Sequence, residues 1–400
     1  MEQEYDYIIV GAGRAGGSAV EGIRKKNEEK SILLIGKEEY LPYDRPDLSK
    51  KLWSGKKTVE QIFPYDRDFY MDNNVDLLLD TEVTALDANN KRVKDSRRNT
   101  WGFDRLLLAT GGTPRKLDIP GGDLEGILYY RNLDDYKALR DQIGETKSAL
   151  VIGGGFIGSE LAASVCASGI ETMMLLREPW LVHRVFPEGL ALAIEQSFAD
   201  KGIQIEKGDA PEKIEKTSGR FLTTTLAGRQ IESDIILVGI GITPSIKLAE
   251  AAKLKVNNGI IVDENLRTSH EDIYAAGDNA EFPYTALGQR MRVEHWDNAV
   301  KQGFQAGMNM AGGKGRYDHM PYFWSDLFEF GYEAVGELNS EMDIFADWET
   351  ENEKGVIYYL RDKKLRGVMT CNIYGKMDEA RQLIRSKKDV SPDDLKGAIK

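Results

Sequence analysis

Sulfur chemistry has little to work with in this chain. Only Cys166 and Cys371 occur among 400 residues, far apart, so a CxxC dithiol relay and a disulfide framework are both excluded. No apolar run approaches the roughly 20 residues of a spanning helix, and the longest candidate, residues 234–243, is broken by glycine and reads as a buried strand. The start, Met1-Glu2-Gln3-Glu4, leads directly into a strand over residues 5–10, so no signal segment is expected and a cytoplasmic protein is. Positive charge is in deficit, with 53 Lys and Arg against 65 Asp and Glu, which argues against nonspecific binding to nucleic acid. No segment is low in complexity, and no metal site is expected.

Two glycine fingerprints are present: Gly11-Ala12-Gly13-Arg14-Ala15-Gly16 and Gly153-Gly154-Gly155-Phe156-Ile157-Gly158. Each follows an apolar run of strand character and opens a helical stretch. Strand, glycine turn and helix together make a pyrophosphate site from exposed backbone N–H groups and a helix N-terminus. Two such sites imply two dinucleotides, and one chain holding both is suited to passing electrons between them.

The order strand 5–10, helix 15–26, strand 31–35 returns as 148–152, 158–167 and 172–176, a duplicated unit with apolar strands suited to a parallel sheet covered on both faces. Residues 106–115 form a strand ending in a Gly/Pro turn, followed by the linker-like Ile119-Pro120-Gly121-Gly122, and residues 235–244 repeat that pattern. The expected organisation is a first dinucleotide domain over 1–120 and 248–315, a second over 121–247, and a C-terminal α+β domain over 316–400. Within the last, residues 356–360 read as a strand and 378–385 as a helix.

An acid about 20 positions past such a turn holds a ribose hydroxyl pair. After the first turn the candidate is Glu38, although Lys37 stands where the acid usually falls; after the second it is Glu178, preceded by Arg177. A carboxylate there repels a 2′-phosphate and an arginine welcomes one. The balance favours NADH over NADPH, and the sequence leaves that choice open.

The chain resembles the FAD-dependent pyridine-nucleotide oxidoreductases, in the ferredoxin-reductase branch that includes apoptosis-inducing factor. Beside the two fingerprints the resemblance rests on Tyr43-Asp44-Arg45-Pro46-Asp47-Leu48-Ser49-Lys50, Ala109-Thr110-Gly111 through Pro114-Arg115, Ala276-Gly277-Asp278, Val293-Glu294-His295 and Phe323-Trp324-Ser325-Asp326. Gly331-Tyr332-Glu333-Ala334-Val335-Gly336 leans toward apoptosis-inducing factor. The resemblance implies an α/β fold of two Rossmann-like domains, FAD on Gly11, Gly13 and Gly16, NAD(P)H on Gly153, Gly155 and Gly158, and a C-terminal α+β domain. It implies that Arg45, Lys50 and Arg115 contact FAD, that Gly277 and Asp278 hold its ribityl–pyrophosphate stretch, and that Lys50 pairs with Glu160 beside the ring. Phe156 would lie over the nicotinamide side, with His295 and Trp324 along the flavin.

Hydride transfer needs no protein nucleophile, so stacking, alignment and a well-placed cation are what the protein supplies. Disulfide reductases of the wider family need cysteines early in the chain, and residues 44–51 contain none. Electrons therefore leave directly from the flavin. The expected acceptor is a ferredoxin- or rubredoxin-type protein or another one-electron acceptor. Two alternatives stand: a quinone, small-oxidant or oxygen reductase, and a redox-gated binding protein, homodimeric when reduced. Residues 318–353 lack Lys and Arg and carry recurrent acids from Asp326 to Glu351, a face that would oppose an acidic ferredoxin. Cys166 reads as a buried structural thiol.

Overall fold

The computed structural model describes residues 3–399 and divides into two compact units, Met1–Asp44, Thr58–Thr113 and Pro244–Pro321 in the first, Arg45–Lys57, Pro114–Thr243 and Tyr322–Lys400 in the second. In the first unit the strands Val75–Leu78, Ile32–Ile35, Gln3–Val10 and Thr100–Leu108 lie side by side and parallel. Arg92–Asp95 continues antiparallel from the first half of Thr100–Leu108, and Ile273–Ala275 runs parallel beside its second half. Ile8, Ile9, Leu34, Leu106 and Leu107 are wholly buried, as strands covered on both faces require.

The helix Arg14–Arg24 covers one face and packs on Trp296–Met310 through small residues. A methyl group on Gly303 or Gly307 would fall 2.1 Å from the carbonyl oxygen of Ala15 or Ala19, so only glycine permits this approach.

The second unit repeats the plan. Its parallel sheet runs Gln204–Lys207, Glu171–Leu176, Ser148–Ile152, Ile235–Val238, Ile127–Leu128, with the helix Phe156–Ala167 following the central strand. A three-stranded antiparallel sheet, Pro211–Thr217, Arg220–Thr225 and Gln230–Ser233, completes a core of Tyr129, Leu150, Ile152, Leu175, Ile214 and Phe221. Residues 119–122 belong to this packing: the Ile214 N–H donates to the Pro120 carbonyl at 2.9 Å. After contributing Arg45–Lys57, the chain re-enters the unit at Pro114.

The C-terminal part is a five-stranded antiparallel sheet in the order Tyr322–Leu327, Phe330–Gly336, Lys364–Cys371, Lys354–Arg361, Asp343–Thr350. The helix Met377–Arg385 packs on Phe330–Gly336 and Lys364–Cys371. The glycine-broken run over 234–243 is two strands, Ile235–Val238 and the start of Ile242–Pro244, parted where Gly241 at φ +93° turns the backbone.

Candidate active site

The two glycine turns are built alike. Gly11 and Gly153 take φ of +118° and +110°, and a methyl group on either would strike backbone, Ala109 O at 2.1 Å and Gly239 O at 2.6 Å. The third glycines, Gly16 and Gly158, would each meet the carbonyl oxygen of the first glycine at 2.0 Å. The middle glycines differ. A methyl group on Gly13 meets nothing within 4 Å, and one on Gly155 meets only Gly239 O at 4.0 Å.

Each middle glycine caps a helix whose first turn carries no acid. Free N–H groups and the positive end of the helix dipole thus face open space without a competing carboxylate. This arrangement fits the diphosphate of a dinucleotide at both turns.

Around the first turn, Gly277 at φ +88° lies so close that its methyl would fall 3.1 Å from the Ala15 Cβ. Its N–H donates to Gln302 Oε1, and Asn279 donates to the Leu108 carbonyl and to Thr110 Oγ1. Asp278 is therefore held at the carboxyl ends of parallel strands, where open α/β sheets bind ligands. His295 caps the helix Trp296–Met310. Glu38 is half-buried and accepts from the Tyr43 hydroxyl at 2.6 Å. Lys37 turns outward instead, paired with Glu82 at 3.1 Å with 74% of its side chain exposed.

In the second unit Glu178 is half-buried after the strand Glu171–Leu176, and Arg177 is exposed. The short helix Arg45–Ser49 brings Lys50 to Glu160 on Phe156–Ala167, Nζ to Oε1 at 3.0 Å, with side chains 14% and 5% exposed. The carboxylate is fully engaged, accepting from Ser325 Oγ on Oε1 and Ser49 Oγ on Oε2, each at 2.6 Å. Lys50 donates also to the Trp324 carbonyl at 3.1 Å, and its Nζ stands 5.5 Å from the Trp324 ring centre.

Buried charge is retained only where paired and hydrogen-bonded in this way. Burial, and next the Glu160 charge, push the Tyr332 phenol well above its ordinary value, so it stays protonated. The Phe156 ring meets Phe323 edge-on at 5.3 Å and Tyr332 at 6.4 Å.

Arg45 donates to the Arg131 carbonyl at 3.1 Å, and Arg115 is exposed, anchored through its N–H to Gly241 O and its Nε to Ile242 O. Ser49, Ser325 and Tyr332 lie inside the motifs that carry the resemblance, but nothing in the sequence assigned them a role at the site. Cys166 is half-buried with its thiol pushed up by burial, and Cys371 is wholly buried and shifted the same way.

Comparison with known proteins places these features in a lineage. Residues 5–303 match the family described as pyridine nucleotide-disulphide oxidoreductase, and residues 306–353 and 346–386 match the C-terminal domain of mitochondrion-associated apoptosis-inducing factor. The chain is 32% identical to apoptosis-inducing factor 1 of Dictyostelium discoideum, over 98% of this chain and 81% of that one. It is 30% identical to the putidaredoxin reductase CamA of Pseudomonas putida, over 98% and 94%. Among solved structures, the ferredoxin reductase for the CYP199A2 system of Rhodopseudomonas palustris superposes with a TM-score of 0.91 at 29% identity, covering 97% of this chain and 96% of that one. The chain therefore belongs to the pyridine nucleotide-disulphide oxidoreductase family, in its ferredoxin-reductase and apoptosis-inducing-factor branch, as a flavin-dependent NAD(P)H oxidoreductase.

Proposed function

We propose that this protein takes a hydride from NADH onto FAD and passes electrons singly to a small iron–sulfur or rubredoxin-type protein. The observation that carries the reading is the duplicated turn whose middle glycine alone opens to free space, Gly13 in one unit and Gly155 in the other. FAD and NAD(H) are typical of the family. We assign FAD to Gly11, Gly13, Gly16, Glu38, Gly277 and Asp278, with Arg45, Lys50 and Arg115 as further contacts, and the nicotinamide dinucleotide to Gly153, Gly155, Gly158 and Glu178. In domain terms, residues 1–120 and 248–315 would serve FAD, 121–247 NAD(H), and 316–400 the acceptor.

When bound, the flavin supplies the step from two-electron to one-electron chemistry. The chain's own part is positional and electrostatic. Glu160 fixes the position of the Lys50 ammonium in a desolvated place, where a cation stabilises developing negative charge more strongly than it does in water. Phe156, His295 and Trp324 are assigned as the aromatic surfaces against the reacting rings.

NADH is favoured by the half-buried Glu178, while the exposed Arg177 can swing into water. In stopped-flow reduction, Glu178→Ala is expected to shift preference toward NADPH by about tenfold, and Arg177→Ala to leave NADH unaffected. An unchanged preference in Glu178→Ala would remove that residue from the ribose site.

The acidic run bears on the acceptor less than its sequence suggests. Glu329 pairs with Lys201, Glu337 with Arg361 and Arg366, and Glu349 with Lys354, all cations from outside residues 318–353. Asp326 and Glu333 lie on the first two strands of the C-terminal sheet, whereas Asp343, Asp347 and Glu349 lie on the fifth. Four strand spacings, about 19 Å, separate the outer pair of strands. Register nevertheless puts Asp326, Glu333 and Asp347 on one side of that sheet, opposite the side on which Ser325 meets Glu160, so these acids do not border the Lys50–Glu160 pair.

Reoxidation of the NADH-reduced protein by an acceptor panel tests the reading. Fast turnover with ferredoxin- or rubredoxin-type proteins supports it. Turnover with dyes and oxygen alone supports a small-oxidant reductase, and slow reoxidation with NADH-dependent dimerisation supports a redox-gated binding protein.

Among the described residues no helix is long and apolar enough to cross a membrane. A cytoplasmic setting is our reading, supported by two thiols without a disulfide.

A further inference from the structure

We infer that Arg14 is a further FAD-holding residue, its guanidinium directed to the cofactor's diphosphate at the first glycine turn. The inference rests on the assignment of FAD to that turn. Arg14 is the first residue of the helix Arg14–Arg24, directly after Gly13, the glycine that faces open space. Its side chain is only 10% exposed.

The burial is incompletely compensated. Nε lies 3.0 Å from Asp44 Oδ1, an ion-pair contact whose angle does not make a hydrogen bond, and Nε and Nη1 are both buried without a hydrogen-bond partner. Asp44 Oδ1 is already occupied by the Trp296 indole N–H, and the guanidinium lies 5.8 Å from the centre of that indole ring. Nη2 remains the accessible nitrogen of the fork.

A desolvated guanidinium with one poorly aligned partner is costly unless an anion completes its donor set. Asp44 and Trp296 fix the side chain, and the helix N-terminus beside it already favours anionic oxygen. A diphosphate is the anion the neighbouring turn is shaped to take, and an arginine fork matches its oxygens better than an ammonium does. This cation is supplied by the chain itself, in addition to the backbone N–H groups of the turn.

The test uses the full chain. FAD release from the protein as isolated is followed by the rise in flavin fluorescence on dilution, and the deflavinated chain is titrated with FAD and separately with ADP. Arg14→Met is expected to release FAD about 10- to 100-fold faster and to weaken FAD and ADP binding by similar factors, with Arg14→Lys between it and the original protein. Deflavinated Arg14→Met is expected to melt no lower than the original, because an under-partnered buried charge has been removed. Original affinities for both nucleotides in either variant would overturn the inference, leaving Arg14 as a clamp for Asp44 and Trp296. Weakened FAD with unchanged ADP would overturn the diphosphate assignment. Should Arg14→Met not fold, Arg14→Lys decides by the same two titrations. If the original chain takes up no FAD at all, the underlying assignment falls instead, which is a distinct result.

Discussion

Glu160→Ala is expected to slow reduction of the bound flavin by NADH at least about tenfold and to destabilise the chain by roughly 3–5 kcal/mol, the cost of breaking a buried ion pair. The cause is concentrated in one carboxylate. Its loss leaves Lys50 with only the Trp324 carbonyl and the adjacent indole face, and strips the acceptor from two buried hydroxyls, Ser49 and Ser325. Glu160→Gln keeps one acceptor oxygen but turns an amide N–H₂ toward donors, so it should lose rate and a smaller part of the stability.

Stability and function can be separated. Replacing a buried pair by apolar side chains of similar volume is often neutral, so Lys50→Met combined with Glu160→Leu should recover much of the melting temperature while reduction stays slow. Reduction at the original rate in the double variant would mean that the pair serves folding alone.

Gly155→Ala should leave the fold and the FAD content unchanged yet weaken NADH binding by about 100-fold or more, a loss of at least about 2.7 kcal/mol. Gly155 has φ −80° and ψ −172°, extended backbone that alanine adopts freely, and its methyl group would approach no protein atom closer than 4.0 Å. Any loss is therefore the ligand's. Gly13→Ala is the counterpart, φ −89° with nothing within 4 Å, and should deplete FAD instead. Gly158→Ala is the contrasting control, since its methyl would fall 2.0 Å from the Gly153 carbonyl oxygen and disturb the turn itself. Titration of NADH and measurement of the flavin-to-protein ratio distinguish the three. Normal NADH binding by Gly155→Ala would move the nicotinamide site elsewhere.

The glycine turns were legible because three local features coincide, an apolar strand, a spaced set of glycines and a helix start, all within about 20 residues. Lys50 with Glu160 was legible only through the resemblance. Ser49 and Glu160 are 111 positions apart and Lys50 is the next residue after Ser49, so no periodicity links the lysine to its acid. Ser325 and Tyr332 face each other across two antiparallel strands, a pairing that depends on register and leaves no composition signal. Nothing in the sequence announces that residues 45–57 pack with the second unit. The acidic run misled in a physical way: a sequence shows neighbours along the chain, whereas an antiparallel sheet sends them to opposite edges and brings Lys201 to Glu329 across 128 positions. Arg14 was visible as a letter in the first fingerprint, but its burial beside Asp44 and Trp296 was not.

Anaerobic stopped-flow mixing of the purified chain with NADH tests the central claim most directly. The account predicts a protein that is yellow as isolated or after reconstitution with FAD, and whose flavin absorbance is bleached by NADH. A chain that stays colourless with FAD present, or a bound flavin that NADH and NADPH both leave oxidised, would contradict it.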